Sequence, residues 1–492
     1  MKEPTFIMKD HSKNSNVPSI HQSNYQKQVF SFCIKTVSPV HIGCDEVYEP
    51  MNFVIDETSE TMTVFDSESF IQNLSAKDRL EFSNICKEGS IGSIIKIYRF
   101  ISKLRPDGRR IGVCPGLVKH YGKTLGLPLN NERVLKNELN KFMIGRTSFL
   151  LTTDRPYIPG SAIKGSLRTA YLNHLAESAR PQDSRKSQQL ECELMQGSFD
   201  TDPFRLLKVS DFMPVGPVNS KVVYAVNEKK RRSQYEPKGP YQILEVIPPG
   251  AIFTGTITIE QPLEKAKIER PVDAKTLFQS IRKFFHTEKN LEDKILQSIN
   301  IPQSPKVPED ALLLRVGRHS GAESMTIAGL RSIKIMKGRG QQSTYEKAAT
   351  TLWLASPHDK GVQKQALQPF GWVELFKPSA EHETELANLE ARFTDSFMSS
   401  RPKEKDQSQR PKPTVEKKAP PTPTEDVWSG AVISWDPGRQ QIIATLGTKK
   451  AYSAGKDLLP DSMVKSVIQK KKIAKANVTV NSSFKIVKIE PA

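Results

Sequence analysis

Between residues 401 and 427 the chain reads RPKEKDQSQRPKPTVEKKAPPTPTEDV, a stretch with almost no side chain able to join a core. Proline fixes φ and removes backbone donors, and the dense charge keeps the segment solvated, so it is expected to run as an extended linker. The chain must therefore fold as a large body before this break and a small body after it. With 492 residues and 37% hydrophobic content, the large body has enough apolar side chain for a substantial core. Residues 1–26, polar and rich in Ser, Asn and Gln, are expected to form a flexible arm.

The large body spans residues 27–400. Val29-Phe30-Ser31-Phe32-Cys33-Ile34-Lys35-Thr36-Val37 reads as a strand, and Asn52-Phe53-Val54-Ile55-Asp56 alternates as a second. Helical and strand patterns then mix up to about residue 400, which predicts an α+β architecture. In residues 428–492, Gly430 to Trp435 and Gln441 to Leu446 flank a Pro437-Gly438 turn, and Lys449 to Ser453 suits a third strand. A short helix within 460–472 and strands at Ala476 to Val480 and Phe484 to Ile489 complete the order of an OB-type barrel. These 65 residues carry 11 Lys plus Arg against 4 Asp plus Glu, a net +7, so this small β-rich domain has a basic surface.

Over the whole chain 72 Lys plus Arg face 54 Asp plus Glu, a formal net charge of +18, which favours a polyanionic partner. Two anionic classes fit: nucleic acid and a membrane surface. No apolar run approaches the ~18 residues of a membrane span, and the polar start lacks the apolar segment of a signal peptide. Cys33, Cys44, Cys86, Cys114 and Cys192 are scattered and odd in number, without the spacing of a zinc site or disulfide scaffold. A cytoplasmic location without a membrane partner, metal or cofactor is expected.

The most informative motif is Tyr157-Ile158-Pro159-Gly160-Ser161-Ala162-Ile163-Lys164-Gly165-Ser166-Leu167-Arg168-Thr169-Ala170-Tyr171. Pro159-Gly160 marks a turn, and Ser161 is placed to cap the helix that follows. Ile163, Leu167, Ala170 and Tyr171 share one face, expected to be buried, while Lys164 and Arg168 lie four residues apart on another. Cations in the first turns oppose the helix dipole and repel each other, penalties that a bound anion removes. Helix N–H groups with Lys164 and Arg168 would then form a phosphate site, and Gly165 would admit a close backbone approach. The competing reading is a capped surface helix with incidental cations.

Two glycine loops carry further cations. In Arg315-Val316-Gly317-Arg318-His319-Ser320-Gly321, Gly317 and Gly321 bracket Arg318, His319 and Ser320 after an apolar strand, a composition able to wrap a phosphate with backbone N–H groups. It lacks the full P-loop pattern, so nucleotide hydrolysis is not implied. Lys337-Gly338-Arg339-Gly340 is a second cationic loop. His41 and His319 offer imidazoles for acid–base ribonuclease chemistry. Asp45 and Asp154 are ordinary loop acids outside any motif, and no spaced metal-ligand cluster is present.

The helix motif resembles the signature of the RAMP superfamily of CRISPR RNA-binding proteins. Thr36-Val37-Ser38-Pro39-Val40-His41-Ile42-Gly43, the segment Glu245-Val246-Ile247-Pro248-Pro249-Gly250-Ala251-Ile252-Phe253 and the loop 315–321 agree in order. That loop and Pro369-Phe370-Gly371-Trp372-Val373 look most like the subunit that caps the 3′ end of the CRISPR RNA in type III-A Csm complexes. The resemblance implies a ferredoxin-like, RRM-like RAMP core that grips RNA through phosphates and sugars. It also implies a thumb-like hairpin around 221–245, which would bring Lys230, Arg231, Arg232 and Tyr235 to RNA. The full set of expected RNA contacts is His41, Gly160, Ser161, Lys164, Gly165, Arg168, Lys230, Arg231, Arg232, Tyr235, Gly317, Arg318, His319, Ser320, Lys337 and Arg339. The implied role is noncatalytic, with CRISPR RNA, neighbouring backbone subunits, target RNA and a maturation nuclease as partners. The alternatives are a metal-independent guide-processing endoribonuclease and an adaptor whose basic tail recruits a separate nuclease.

Overall fold

The computed structural model describes residues 27–49, 51–179, 181, 186–232, 239–336, 340–378, scattered positions within 380–391, and 426–491 except 437–440, 448, 455–457, 465, 466, 468–473 and 482–484. Chain contacts divide it into one unit ending at Pro402 and a second starting at Lys403.

The first unit is built on a βαββαβ frame. Strand β1 (Lys27–Thr36) is followed, after a long insertion, by helix α1 (Gly160–Ala179) and strand β2 (Leu207–Val209). Strand β3 (Ile252–Glu260), helix α2 (Ala274–Ser298), strand β4 (Leu312–Arg315) and strand β5 (Trp372–Phe376) complete it. The sheet order is β4-β5-β1-β3-β2, with every neighbouring pair antiparallel. Leaving β4 aside as an added edge strand, this is the 4-1-3-2 order of a ferredoxin-like, RRM-like sheet. The expected α+β class and core plan are therefore present.

The helical pattern of the 157–171 motif translates directly into packing. Ile163, Leu167, Ala170 and Tyr171 are all buried and join Ile34, Phe253, Ile257, Phe285 and Trp372 in one core between sheet and helices. Helix α2 starts where the Asp273 carboxylate accepts from the Thr276 amide. It presents Leu277, Ile281, Phe284 and Phe285 to the same core.

The insertion between β1 and α1 supplies most of a second, nine-stranded sheet. Its core gathers Phe53, Tyr98, Tyr121 and Phe142 in edge-on and tilted contacts. Strands Lys221–Lys229 and Gln242–Val246 pair antiparallel inside this sheet, with Val222, Tyr224, Ala225, Val226, Ile243 and Leu244 buried. Of the thumb-like hairpin expected around 221–245, the two strands are built into this sheet, and residues 233–238 between them lie outside the described residues. The unbroken apolar run Val222-Val223-Tyr224-Ala225-Val226 explains why, since a strand buried on both faces shows no alternation.

In the second unit, strands β6 (Asp426–Asp436), β7 (Gln441–Leu446), β8 (Lys449–Ala454), β9 (Ala474–Val480) and β10 (Ile486–Pro491) form a sheet of order β8-β7-β6-β9-β10. A parallel bridge from Tyr452 to Lys485 brings its two edges together, and a helical turn, Asp461–Val464, lies between β8 and β9. This is OB-type connectivity. Gly430, at φ +68°, sits at a register shift between β6 and β9, where a left-handed glycine bends the strand around the core. Trp428, Ile433, Ile442, Val478 and Ile489 fill the interior.

Among the described residues no helix is long and apolar enough to cross a membrane.

Candidate nucleic-acid interface

The loop 315–321 leaves β4 from a buried charge pair. Arg315 Nη2 lies 2.7 Å from Glu292 Oε1, with the two side chains 5% and 6% exposed. Arg315 Nε donates to the Phe370 carbonyl at 3.0 Å and Nη1 to Ser324 Oγ at 3.4 Å, and the guanidinium stacks 4.7 Å from the Trp372 ring centroid. Trp372 Nε1 donates to the other Glu292 oxygen at 2.6 Å. Full hydrogen bonding on both partners makes the burial of this pair tolerable.

From that anchor the backbone makes three left-handed residues, Gly317, His319 and Gly321, at φ +80°, +65° and +78°. Gly317 packs so tightly on the segment that follows β1 that a Cβ would lie 2.4 Å from the His41 carbonyl. The Arg318 amide donates to that carbonyl at 2.8 Å, and the Val316 amide donates to Gly371 O at 2.8 Å. Ser320 is buried, and its hydroxyl donates to Val316 O and Gly317 O. His319 stacks on Trp353 at 4.4 Å, with Nε2 3.0 Å from Gln242 Oε1. What the loop offers to the outside is the exposed side chain of Arg318.

Several sequence expectations change here. The loop does not form the expected amide cradle at Val316 and Arg318, whose N–H groups are taken internally. Ser320 braces the turn instead of facing a ligand. His41, expected to contact RNA, lies beneath the loop: the ring is buried and Nδ1 donates to Glu245 O at 2.7 Å. Burial holds the His41 imidazole below its usual range, and burial together with the Arg318 charge pushes His319 down to about 3. Neither ring is poised to exchange a proton near neutral pH.

The helix start is also more committed than its sequence suggests. The Gly160 amide accepts its cap from outside the helix, donating to Asp211 Oδ1 at 2.8 Å, while Ser161 is exposed inside the first turn. The expected Ser161 cap and open anion site are corrected, because a protein carboxylate already occupies the positive end of the helix. Gly160 itself permits close packing, since a Cβ would meet Val209 O at 2.4 Å. Lys164 and Arg168 share one flank as expected, but neither is an uncompensated surface cation. Lys164 Nζ donates to Leu207 O at 2.8 Å, and burial lowers its pKa. Arg168 pairs with Asp202 at 2.8 Å and Glu191 at 3.1 Å. Gly165 is exposed, and a Cβ there would meet nothing within 4 Å, so this ridge of the helix is open to approach.

Of the basic run, Lys230 forms an ion pair with Glu323, and Arg232 donates to Ser298 O at 2.9 Å and Asn300 Oδ1 at 3.2 Å. Arg231 is exposed. Tyr235, Lys337 and Arg339 lie outside the described residues. The strands flanking the Lys337–Arg339 position, Ile333–Ile335 and Thr344–Glu346, pair among the described residues only with each other. Lys334 lies opposite Tyr345, which is 64% exposed, and Met336 is 77% exposed. The sequence analysis missed this strand pair, although Ile333-Lys334-Ile335 alternates just before the glycine-containing stretch 338–340.

Asp154, left-handed at φ 58°, is held by Arg146 and, at 3.6 Å, by Arg109. Among the described residues no group of three His, Cys, Asp or Glu side chains is placed to hold a metal ion.

Comparison with known proteins places residues 33–299 in a match to the family described as the RAMP superfamily. A protein named CRISPR system Cms protein Csm5, from Methanocaldococcus jannaschii, is 26% identical over 189 residues, covering 36% of this chain. The match spans only 40% of that relative's length. A chain of the cryo-EM structure of a Csm-crRNA-target RNA ternary complex in a type III-A CRISPR-Cas system superposes with a TM-score of 0.46 at 17% identity, covering 70% of this chain and 100% of that one. The crystal structure of T. onnurineus Csm5 gives a TM-score of 0.42 at 18% identity, covering 70% and 99%.

Proposed function

Because this chain belongs to the RAMP superfamily, whose match spans more than half of it, we propose that it is a noncatalytic RNA-binding subunit of a type III CRISPR ribonucleoprotein. In this role it binds the CRISPR RNA backbone near its 3′ end and caps the filament of neighbouring backbone subunits. The observation that carries the reading is the loop 315–321, whose internal bonds hold it rigid while Arg318 projects from it. A guanidinium on a preorganised loop suits a phosphate, because little freedom is lost on binding. The relative named CRISPR system Cms protein Csm5 supports the CRISPR part of this reading. The burial of His41 and His319 as neutral rings speaks against the endoribonuclease alternative.

The test is equilibrium binding of the purified chain to guide RNA over a salt series. Arg318→Ala is expected to weaken binding for unrelated spacer sequences alike and to flatten the log–log salt slope by about 0.7, the value for one phosphate contact on a single strand. Photoreactive nucleotides at each guide end, in the assembled complex, are expected to crosslink from the 3′ end only. Guide cleavage by the purified chain, an unchanged slope in Arg318→Ala, or crosslinking from the 5′ end would each refute its part of the proposal.

A further inference from the structure

A cavity of about 480 Å³ opens in the first unit, where loop 151–155 meets residues 217–220 and the start of the strand Arg109–Val113. Its volume lies in the ~300–1,000 Å³ range of small-ligand sites. Buried Glu245 lies against its wall residues Arg109 and Ser220. Its carboxylate accepts from Ser220 Oγ at 2.6 Å, Tyr48 Oη at 2.9 Å, the Thr147 amide at 3.2 Å and Arg109 Nη1 at 3.3 Å. Asp154, also on the wall, is held by Arg146 and Arg109. Both carboxylates are thus answered by cations before any ligand arrives, and a further anion is not repelled by a bare negative charge.

Donors remain on the same wall. Thr153 Oγ1 is buried with no hydrogen-bond partner, and such a group in a folded interior calls for a missing partner. Arg110 is exposed at the wall and makes no ion pair among the described residues. Opposite in character, Val218 and Leu151, the latter 89% exposed, supply apolar surface. We infer that this cavity binds a single nucleotide, with its phosphate toward Arg110 and Thr153 and its base against Leu151 and Val218. Guanidinium and hydroxyl donors match phosphate oxygens, and the apolar wall matches the face of a base. Such a unit can come from a free nucleotide or from within an RNA strand. The inference rests on the proposed RNA-binding function only for the second source.

The experiment uses the full chain with two probes, a nucleoside 5′-monophosphate and a single-stranded RNA oligomer, and three variants. Arg110→Glu reverses the free charge, Thr153→Val removes the hydroxyl at constant shape, and Arg318→Ala alters the separate loop. Expected losses are about tenfold for Arg110→Glu and about three- to tenfold for Thr153→Val, with unchanged thermal transitions. If the losses appear with the monophosphate, the cavity takes free nucleotide; if only with the oligomer, it takes a nucleotide of the strand. Losses in Thr153→Val are diagnostic because they do not alter net charge. If both folded variants bind both probes like wild type, the inference is overturned. Failure of the RNA-binding proposal reads differently, as no RNA binding by wild type, and monophosphate binding still tests the cavity.

Discussion

Replacing Arg315 by Met removes one half of a buried ion pair while keeping most of the side-chain volume. Glu292 then retains only the Trp372 Nε1 donor at 2.6 Å, and the Phe370 carbonyl loses its 3.0 Å partner. Stranding one charge of a buried pair costs about 3–5 kcal/mol, a large share of the ~5–15 kcal/mol of a typical domain. The companion change Glu292→Gln still offers Trp372 an acceptor but carries no charge. The double variant should therefore regain most of the loss and stay within about 1–2 kcal/mol of wild type, the remainder coming from the unpaired Phe370 carbonyl. Urea unfolding of the full chain, fitted with a separate transition for each unit because a multidomain chain does not unfold in one step, measures both values. A double-mutant cycle isolates the coupling, expected to exceed about 2 kcal/mol. A single-variant cost below about 1 kcal/mol, or a double variant as unstable as the sum of the singles, would refute the claim that this pair anchors the loop.

Gly317→Ala combines a left-handed backbone at φ +80° with a Cβ 2.4 Å from the His41 carbonyl. The conformation alone costs roughly 1–2 kcal/mol, so RNA affinity and stability should both fall, whereas Arg318→Ala should lower affinity alone. Lys164→Ala and Arg168→Ala should separate: the first is expected to leave folding within about 1 kcal/mol of wild type, while the second strands Asp202 and Glu191 and loosens residues 191–208, detectable by amide hydrogen exchange. In the second unit, outward-facing Lys450 and Tyr452 lie on β8, both exposed. Deleting residues 426–492 should leave the first unit folded and flatten the salt dependence of RNA binding, and Tyr452→Ala in the full chain should weaken it by about 1–3 kcal/mol if a base stacks there. For pH, His319 in the folded chain titrates near 3 against an ordinary value of 6.5. Between those values the unfolded chain binds the extra proton, so this contribution to stability is complete above pH 6.5 and is lost progressively as pH falls toward 3. His319→Phe should make the slope of stability between pH 6 and 4.5 shallower, as read by unfolding at a series of pH values.

The βαββαβ frame followed from the family resemblance, while local pattern by itself determined the α+β class, the buried face of the 160–179 helix and the strand order after the linker. These depend on the spacing of apolar residues and on turn chemistry, which neighbours along the chain specify. The contact between His41 and the loop 315–321 was set by the tertiary fold. At 221–245 the family resemblance pointed to a thumb-like hairpin, while the apolar run at 222–226 places its strands inside a sheet. Only the tertiary structure decided which side of a chain segment faces solvent and which charges are already answered. Residues far outside the local pattern supply the answers: Asp211 reaches the Gly160 amide, Asp202 and Glu191 hold Arg168, Glu292 holds Arg315, and Glu245 takes the His41 ring through its carbonyl. A cation has the same identity whether paired or free, so its availability to a phosphate is a property of the packed fold, where burial and a partner carboxylate remove it from the surface.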